Sequence, residues 1–154
     1  MITVDVRTLR DRAGQQIAVG DWLTITQERI SRFADATGDH QWIHVDGERA
    51  AKESPFKTTI AHGFLTLSLV STLMREAIQF TGLRMAINYG LNRVRFVSPV
   101  PSGSRIRAHI VCGGVEEVAD GFQVAWNISV EREGDPKPAC VAEWLVRYYP
   151  IPQS

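Results

Sequence analysis

The stretch ATGDHQWIHVD, residues 36–46, sets Asp39, His40 and His44 around the bulky apolar pair Trp42 and Ile43. A carboxylate and an imidazole placed where water is scarce move toward a common titration range. Desolvation raises the acid and lowers the base, while their mutual attraction opposes both shifts. Held together, such a pair can grip one water molecule and move its proton, which is general acid–base chemistry. Each residue also has a plainer reading: Asp39 as an acceptor for backbone amides after a helix end, His44 as a half-buried hydrogen-bonded histidine.

A second chemical element is TTIAHGFLTLS, residues 58–68, where His62 and Gly63 immediately precede a long apolar run. The first backbone N–H groups of a helix lack internal acceptors and carry partial positive charge, and a glycine lets a substrate carbonyl come close. Donors aimed at a developing oxyanion contribute about 3–4 kcal/mol each. Ser68 stands five residues beyond the glycine, either supporting such a site or bonding back to the carbonyl one turn earlier. His62 reads as a helix-entry residue making a structural hydrogen bond, and with Phe64 it flanks the position a substrate would take. A metal site from His40, His44 and His62 or Cys140 is not expected. The HExxH pattern is absent, and a glycine-terminated loop does not hold i, i+4 side chains on one face.

These groups need elements to position them. Thr26 is suited to cap a helix over QERISRFADATG, whose Ile30, Phe33 and Ala34 recur at helical spacing until Gly38 stops it. Asp39 and His44 then fall on an irregular connection, with Trp42 and Ile43 expected as its anchors in the core, and Asp46 caps a shorter helix. Phe64 to Phe80 is apolar almost all round and reads as one buried helix with a narrow polar stripe. Beyond residue 84 the alternation is that of strands, broken at Pro99–Gly103, Asp120–Gly121 and Gly134–Pro138, and an antiparallel meander is expected. An α+β fold results: one curved sheet wrapped round one helix, in a single domain over residues 1–154 with 1–19 as a lead-in.

The chain of 154 residues balances 17 basic against 17 acidic side chains, so no basic field invites nucleic acid or an anionic membrane. No apolar run reaches the roughly 18 residues of a membrane span. The first residues lack a secretory signal's features, which makes the cytoplasm the expected location, and Cys112 and Cys140 are expected as small buried hydrophobes. Arg93, Arg95, Arg105 and Arg107 alternate along strands and are expected on a solvated sheet face.

Asp39, His44, His62-Gly63 and Ser68 together, with the later VRFVSPVPSGSRIRA, resemble the MaoC-like (R)-specific enoyl-CoA hydratases and their NodN-like branch, over about residues 20–149. The resemblance implies a hot-dog fold, usually a homodimer, and syn hydration of a trans-2-enoyl thioester. Asp39 and His44 would hold and activate the water, the Gly63 N–H would bind the thioester oxygen, and Ser68 would support them. Which of Asp39 and His44 takes the proton stays open. Asn88, Tyr89 and Gly90 would line the acyl or pantetheine channel, and some strand arginines would reach the coenzyme A phosphates. No metal or redox cofactor is implied, coenzyme A being part of the acyl-CoA substrate. The rival readings are a hot-dog acyl-CoA thioesterase and a non-catalytic acyl-binding partner subunit.

Overall fold

The computed structural model describes residues 1–153, leaving Ser154 of the expected span outside. Strand β1 (Ile2–Asp5) leads into a 3-10 turn over Val6–Arg12, then β2 (Gln16–Val19) and a two-residue β3 (Leu23–Thr24). The lead-in therefore has regular structure. Val4, Val6 and Leu9 are buried in the main core, which is why this segment is held.

Helix α1 (Gln27–Thr37) begins where the Thr26 hydroxyl accepts from the Arg29 N–H, and ends at Gly38, whose φ of 79° is the left-handed turn that glycine takes without strain. A one-turn helix α2 (Trp42–Val45) and α3 (Gly47–Glu53) follow, the latter capped by the Asp46 carboxylate on the Arg49 N–H. His44 thus lies on a short helix rather than on the irregular connection expected, and only Gly38–Gln41 is irregular.

The central helix α4 (Gly63–Ala77) is shorter than its apolar run. From Ile78 the chain is strand β4 (Ile78–Thr81), pairing in parallel with β1 in the register Ile2 to Ile78. A long apolar run does not by itself distinguish helix from strand. Here the partner strand from the other end of the chain decides.

The main sheet contains β5 (Leu83–Arg95), β6 (Arg105–Val118), β7 (Gly121–Arg132) and β8 (Cys140–Pro150), in the antiparallel order β2-β6-β7-β8-β5, with β3 also on β6. Only β6-β7-β8 form the expected meander. β5 sits on the far edge against β8, so the chain from Phe96 to Ser104 must cross the sheet's end. On the way Ala61 N–H donates to the Val100 carbonyl and Ile60 bridges Pro101, so the crossing passes beside the start of α4. Leu65, Leu69, Leu73 and Met74 of α4 share one core cluster with Ile110, Val124, Trp126 and Val146 of the sheet. Cys112 and Cys140 are free and buried, and the Trp126 indole donates to the Tyr148 hydroxyl at 3.0 Å.

Candidate active site

The connection after α1 and the start of α4 meet at one place. A carboxylate oxygen of Asp39 and a ring nitrogen of each of His44 and His62 lie within 4.8 Å of one another. Two hydrogen bonds of ~2.8 Å meeting at a tetrahedral angle span about 4.6 Å, so a single water fits between such groups.

His44 is the deepest of the three neighbours Trp42, Ile43 and His44. It is only 7% exposed, whereas Trp42 and Ile43 are partly open and Trp42 lies under the Arg49 guanidinium at 4.4 Å. The two apolar residues are not the core anchors expected of them. His44 Nδ1 stands 2.7 Å from the Ile60 carbonyl oxygen. A carbonyl only accepts, so Nδ1 carries the proton and Nε2 of the neutral ring keeps a free lone pair. Burial pushes the His44 pKa down, the Ile60 carbonyl pulling it back up, with His62 lowering and Asp39 raising it further. The ring is thereby kept as a base. From α1 the Gln27 amide donates to the His44 carbonyl at 2.8 Å and accepts from the Thr59 hydroxyl at 2.5 Å, tying α2 to the segment before α4.

Asp39 is exposed, so the chain on its own does not take this carboxylate out of water as the sequence led us to expect. One of its oxygens accepts from the Gln41 N–H at 3.3 Å. His40 points elsewhere: its Nε2 bonds Asp35 at 2.9 Å in the open, and that bond raises its pKa. His62 is 3% exposed, places Nε2 on the Asp39 backbone carbonyl at 2.9 Å, and stacks on the His44 ring with centroids 3.8 Å apart and planes 24° apart. Its Nδ1 is buried with no hydrogen-bond partner among the described residues. Asp39, His44 and His62 form a donor set of the type divalent cations take. Convergence on one ion would require the two rings to rotate out of their face-to-face contact.

The start of α4 has no side-chain cap, and its Leu65 and Thr66 N–H groups both return to the His62 carbonyl. Among the described residues the Gly63 and Phe64 N–H groups meet no acceptor. They are the free donors expected at a helix start. Gly63 has to be small: a Cβ there would meet the Phe96 ring at 3.0 Å. Phe96 comes from the segment crossing the sheet's end and meets Phe64 edge-on, with centroids 6.0 Å apart. Phe96 also borders a cavity of about 260 Å³, together with Phe56, Ile60, Gly63 and Pro99.

The remaining expected residues lie further along. Ser68 donates to the Phe64 carbonyl at 2.7 Å, the back-bond weighed from sequence, and makes no hydrogen bond to Asp39, His44 or His62 among the described residues. It shares a groove of about 180 Å³ with Ser71, Asn88 and Trp144. The Asn88 side-chain Oδ1 accepts there from the Trp144 indole at 2.8 Å. Tyr89 lies under the Arg147 guanidinium at 3.7 Å and does not border that groove, nor does Gly90, which pairs with Leu145. Arg105 is ion-paired with Glu133 and Arg107 with Glu131, while Arg95 turns to its neighbour's carbonyl. Sequence reasoning missed Ile60, Gln27, Phe33 and Phe96. The first two act through the backbone or across distant segments, which leaves no local signal. Phe96 lay inside the VRFVSPV segment, but nothing there identifies its ring as the cover of Gly63.

Residues 9–133 match the family described as MaoC like domain. The chain is 56% identical over 144 residues to 3-hydroxyacyl-thioester dehydratase Z of Mycobacterium tuberculosis, covering 93% of this chain and 95% of that protein. To Nodulation protein N of Rhizobium meliloti it is 44% identical over 147 residues, covering 94% and 91%. The solved R-hydratase PhaJ1 of Pseudomonas aeruginosa superposes with a TM-score of 0.72 at 23% identity, covering 92% of this chain and 87% of that one, a likeness of hot-dog fold.

Proposed function

We propose, from the premise that the chain belongs to the MaoC-like dehydratase family, that it adds water reversibly to a trans-2-enoyl-CoA in the cytoplasm, giving the (R)-3-hydroxyacyl-CoA. The observation that carries this reading is the His44 ring. Its Nδ1 proton is committed to the Ile60 carbonyl, which leaves Nε2 free, and the ring belongs to the cluster that includes the Asp39 carboxylate.

In the hydration direction Asp39 and His44 Nε2 hold one water. His44 takes its proton as the oxygen attacks C3, and the C2–C3 π electrons move onto the thioester oxygen. The Gly63 N–H meets that oxygen at the positive end of α4, where an unpartnered donor is already in place and needs no reorganisation. When the enolate collapses, the proton returns from the His44–Asp39 pair to C2 on the same face, so addition is syn and the elements of water are fully accounted for. Dehydration of a 3-hydroxyacyl thioester is the same path reversed.

The chain works as a homodimer in this reading. The exposed Asp39, the 68% exposed Phe64 and the outer edge of β5, with Met85, Ile87, Tyr89 and Leu91 open, are the surfaces a second copy would cover. That cover also removes water from the acid–base pair. Ser68 and Asn88 then border the acyl path, and no metal or redox cofactor takes part. The test is an assay of enoyl absorbance on trans-2-enoyl-CoAs of short, medium and long chain, run beside free-thiol detection, with product stereochemistry determined. Loss of the enoyl band with an (R)-product is expected. Thiol release without hydration would replace this reading with a thioesterase.

A further inference from the structure

We propose that His62 is the positioning residue of this site: one imidazole that holds the Asp39 segment and the His44 ring together without itself touching substrate. The inference deepens the hydratase reading and rests on it for its activity assay.

Three contacts carry it. Nε2–H of His62 donates to the Asp39 backbone carbonyl at 2.9 Å, across 23 residues of chain. The face of the ring lies on His44, with centroids 3.8 Å apart, and Phe33 of α1 packs against it at 4.9 Å. The titratable groups facing the ring are Asp39 from the irregular connection and His44 from α2; Phe33 is uncharged. Asp39 otherwise has slack support: its connection is exposed, and the Asp39 N–H bond to the Thr37 hydroxyl is 3.4 Å long. The other link runs along the chain, from the Asp39 carboxylate through the Gln41 N–H at 3.3 Å and from the Gln41 carbonyl to the His44 N–H at 3.0 Å, and it leaves the Asp39 backbone carbonyl to His62.

The unspent nitrogen distinguishes this from ordinary packing. His62 Nδ1 is buried and has no partner among the described residues, a cost that an apolar side chain beside Phe33 would avoid. What an apolar ring cannot supply is the donor on the far side. A reacting pair displaced by about an ångström loses on the order of 100-fold in rate, so one hydrogen bond that sets the separation has kinetic weight. Because His62 acts through the pair, its removal should lower kcat and leave KM nearly unchanged.

The test compares H62Q with H62N. A glutamine amide nitrogen reaches about as far as imidazole Nε2, whereas an asparagine amide ends near the Nδ1 position. Both are checked for folding by circular dichroism and melting. H62Q is expected within about fivefold of the parent in kcat, and H62N at least tenfold below H62Q, with KM within about threefold throughout. An H62Q to H62N ratio under tenfold, or a loss carried by KM, overturns the proposal. If H62N does not fold, H62F replaces it under the same thresholds, keeping the face contact and dropping the donor. A second readout needs no substrate: backbone relaxation by NMR over Gly38–Gln41 should match the parent in H62Q and show added fast motion in H62N. Equal rigidity in all three proteins overturns the role of His62. Absence of hydration in the parent overturns the hydratase reading instead, and the relaxation comparison still decides on His62.

Discussion

On the outward face of the sheet, Arg105 pairs with Glu133, and Glu131 takes both Arg107 and His109 at 2.7 Å, with Trp22 stacked beside the arginines. At the start of α4 the bonding is left incomplete: His44 keeps a free nitrogen, His62 keeps a buried one, and the Gly63 N–H has no acceptor among the described residues. Both regions concentrate polar side chains, yet in the second the unspent nitrogens lie on buried rings, His44 at 7% and His62 at 3% exposed. Charge density alone is a poor guide to chemistry. Unspent hydrogen-bonding capacity in a place of low water access is a better one.

Breaking the second region at its centre should have the largest effect. Asp39→Asn and His44→Ala are each expected to lower kcat at least about 100-fold, in line with loss of general acid–base catalysis, while circular dichroism stays that of the parent. Rates within a few-fold of the parent would end the contrast drawn here. Gly63→Ala comes next. The added methyl presses on the Phe96 ring, which is 46% exposed and can swing aside, so steady-state kinetics should show about a tenfold loss with little change in melting temperature.

Acid should sharpen the difference between the regions. The folded His44 pKa lies below the ordinary value near 6.5, so kcat/KM should fall only when the pH drops below that value, tenfold for each unit past the folded pKa. The sign for stability is the same. Below 6.5 the unfolded chain binds this proton first, so His44's contribution is complete above 6.5 and is lost as pH falls toward the folded pKa. Glu131 behaves differently: Arg107 and then His109 hold its carboxyl below the usual range, so its contribution begins to fall only below the ordinary glutamate value near 4.5, whereas that of His44 begins to fall at 6.5. A pH series of melting temperatures on the parent and on Glu131→Gln separates the two. The smallest effect is expected from Glu131→Gln at neutral pH, within about twofold in rate and about 1 kcal/mol in stability, as for a pair about one-third exposed.

Local signals were legible. Thr26, Gly38 and Asp46 start and stop helices through contacts within a few residues, and the sheet strands follow from alternation. The fold class was readable for the same reason. What sequence did not reveal was settled at a distance: Ile78–Thr81 becomes a strand because Ile2–Asp5 pairs with it, and β5 goes to the outer edge because the Phe96–Ser104 segment crosses the sheet's end. In the site, Asp39, His44 and Gly63 stood out by residue type and spacing, but the inversion of burial between His44 and its neighbours Trp42 and Ile43 did not. It depends on Ile60 and Gln27 offering the imidazole and its backbone partners inside, which no periodicity reports.

Helix α4 runs into β4 with no intervening residue, Ala77 ending one and Ile78 beginning the other, and β4 is clamped by β1. The helix therefore has no hinge at its far end about which to swing, and its leading amides stay fixed relative to the sheet. At its near end the open rings of Phe64 and Phe96, 68% and 46% exposed, are the parts with room to turn, so in the hydratase reading adjustment to acyl groups of different shape falls to them.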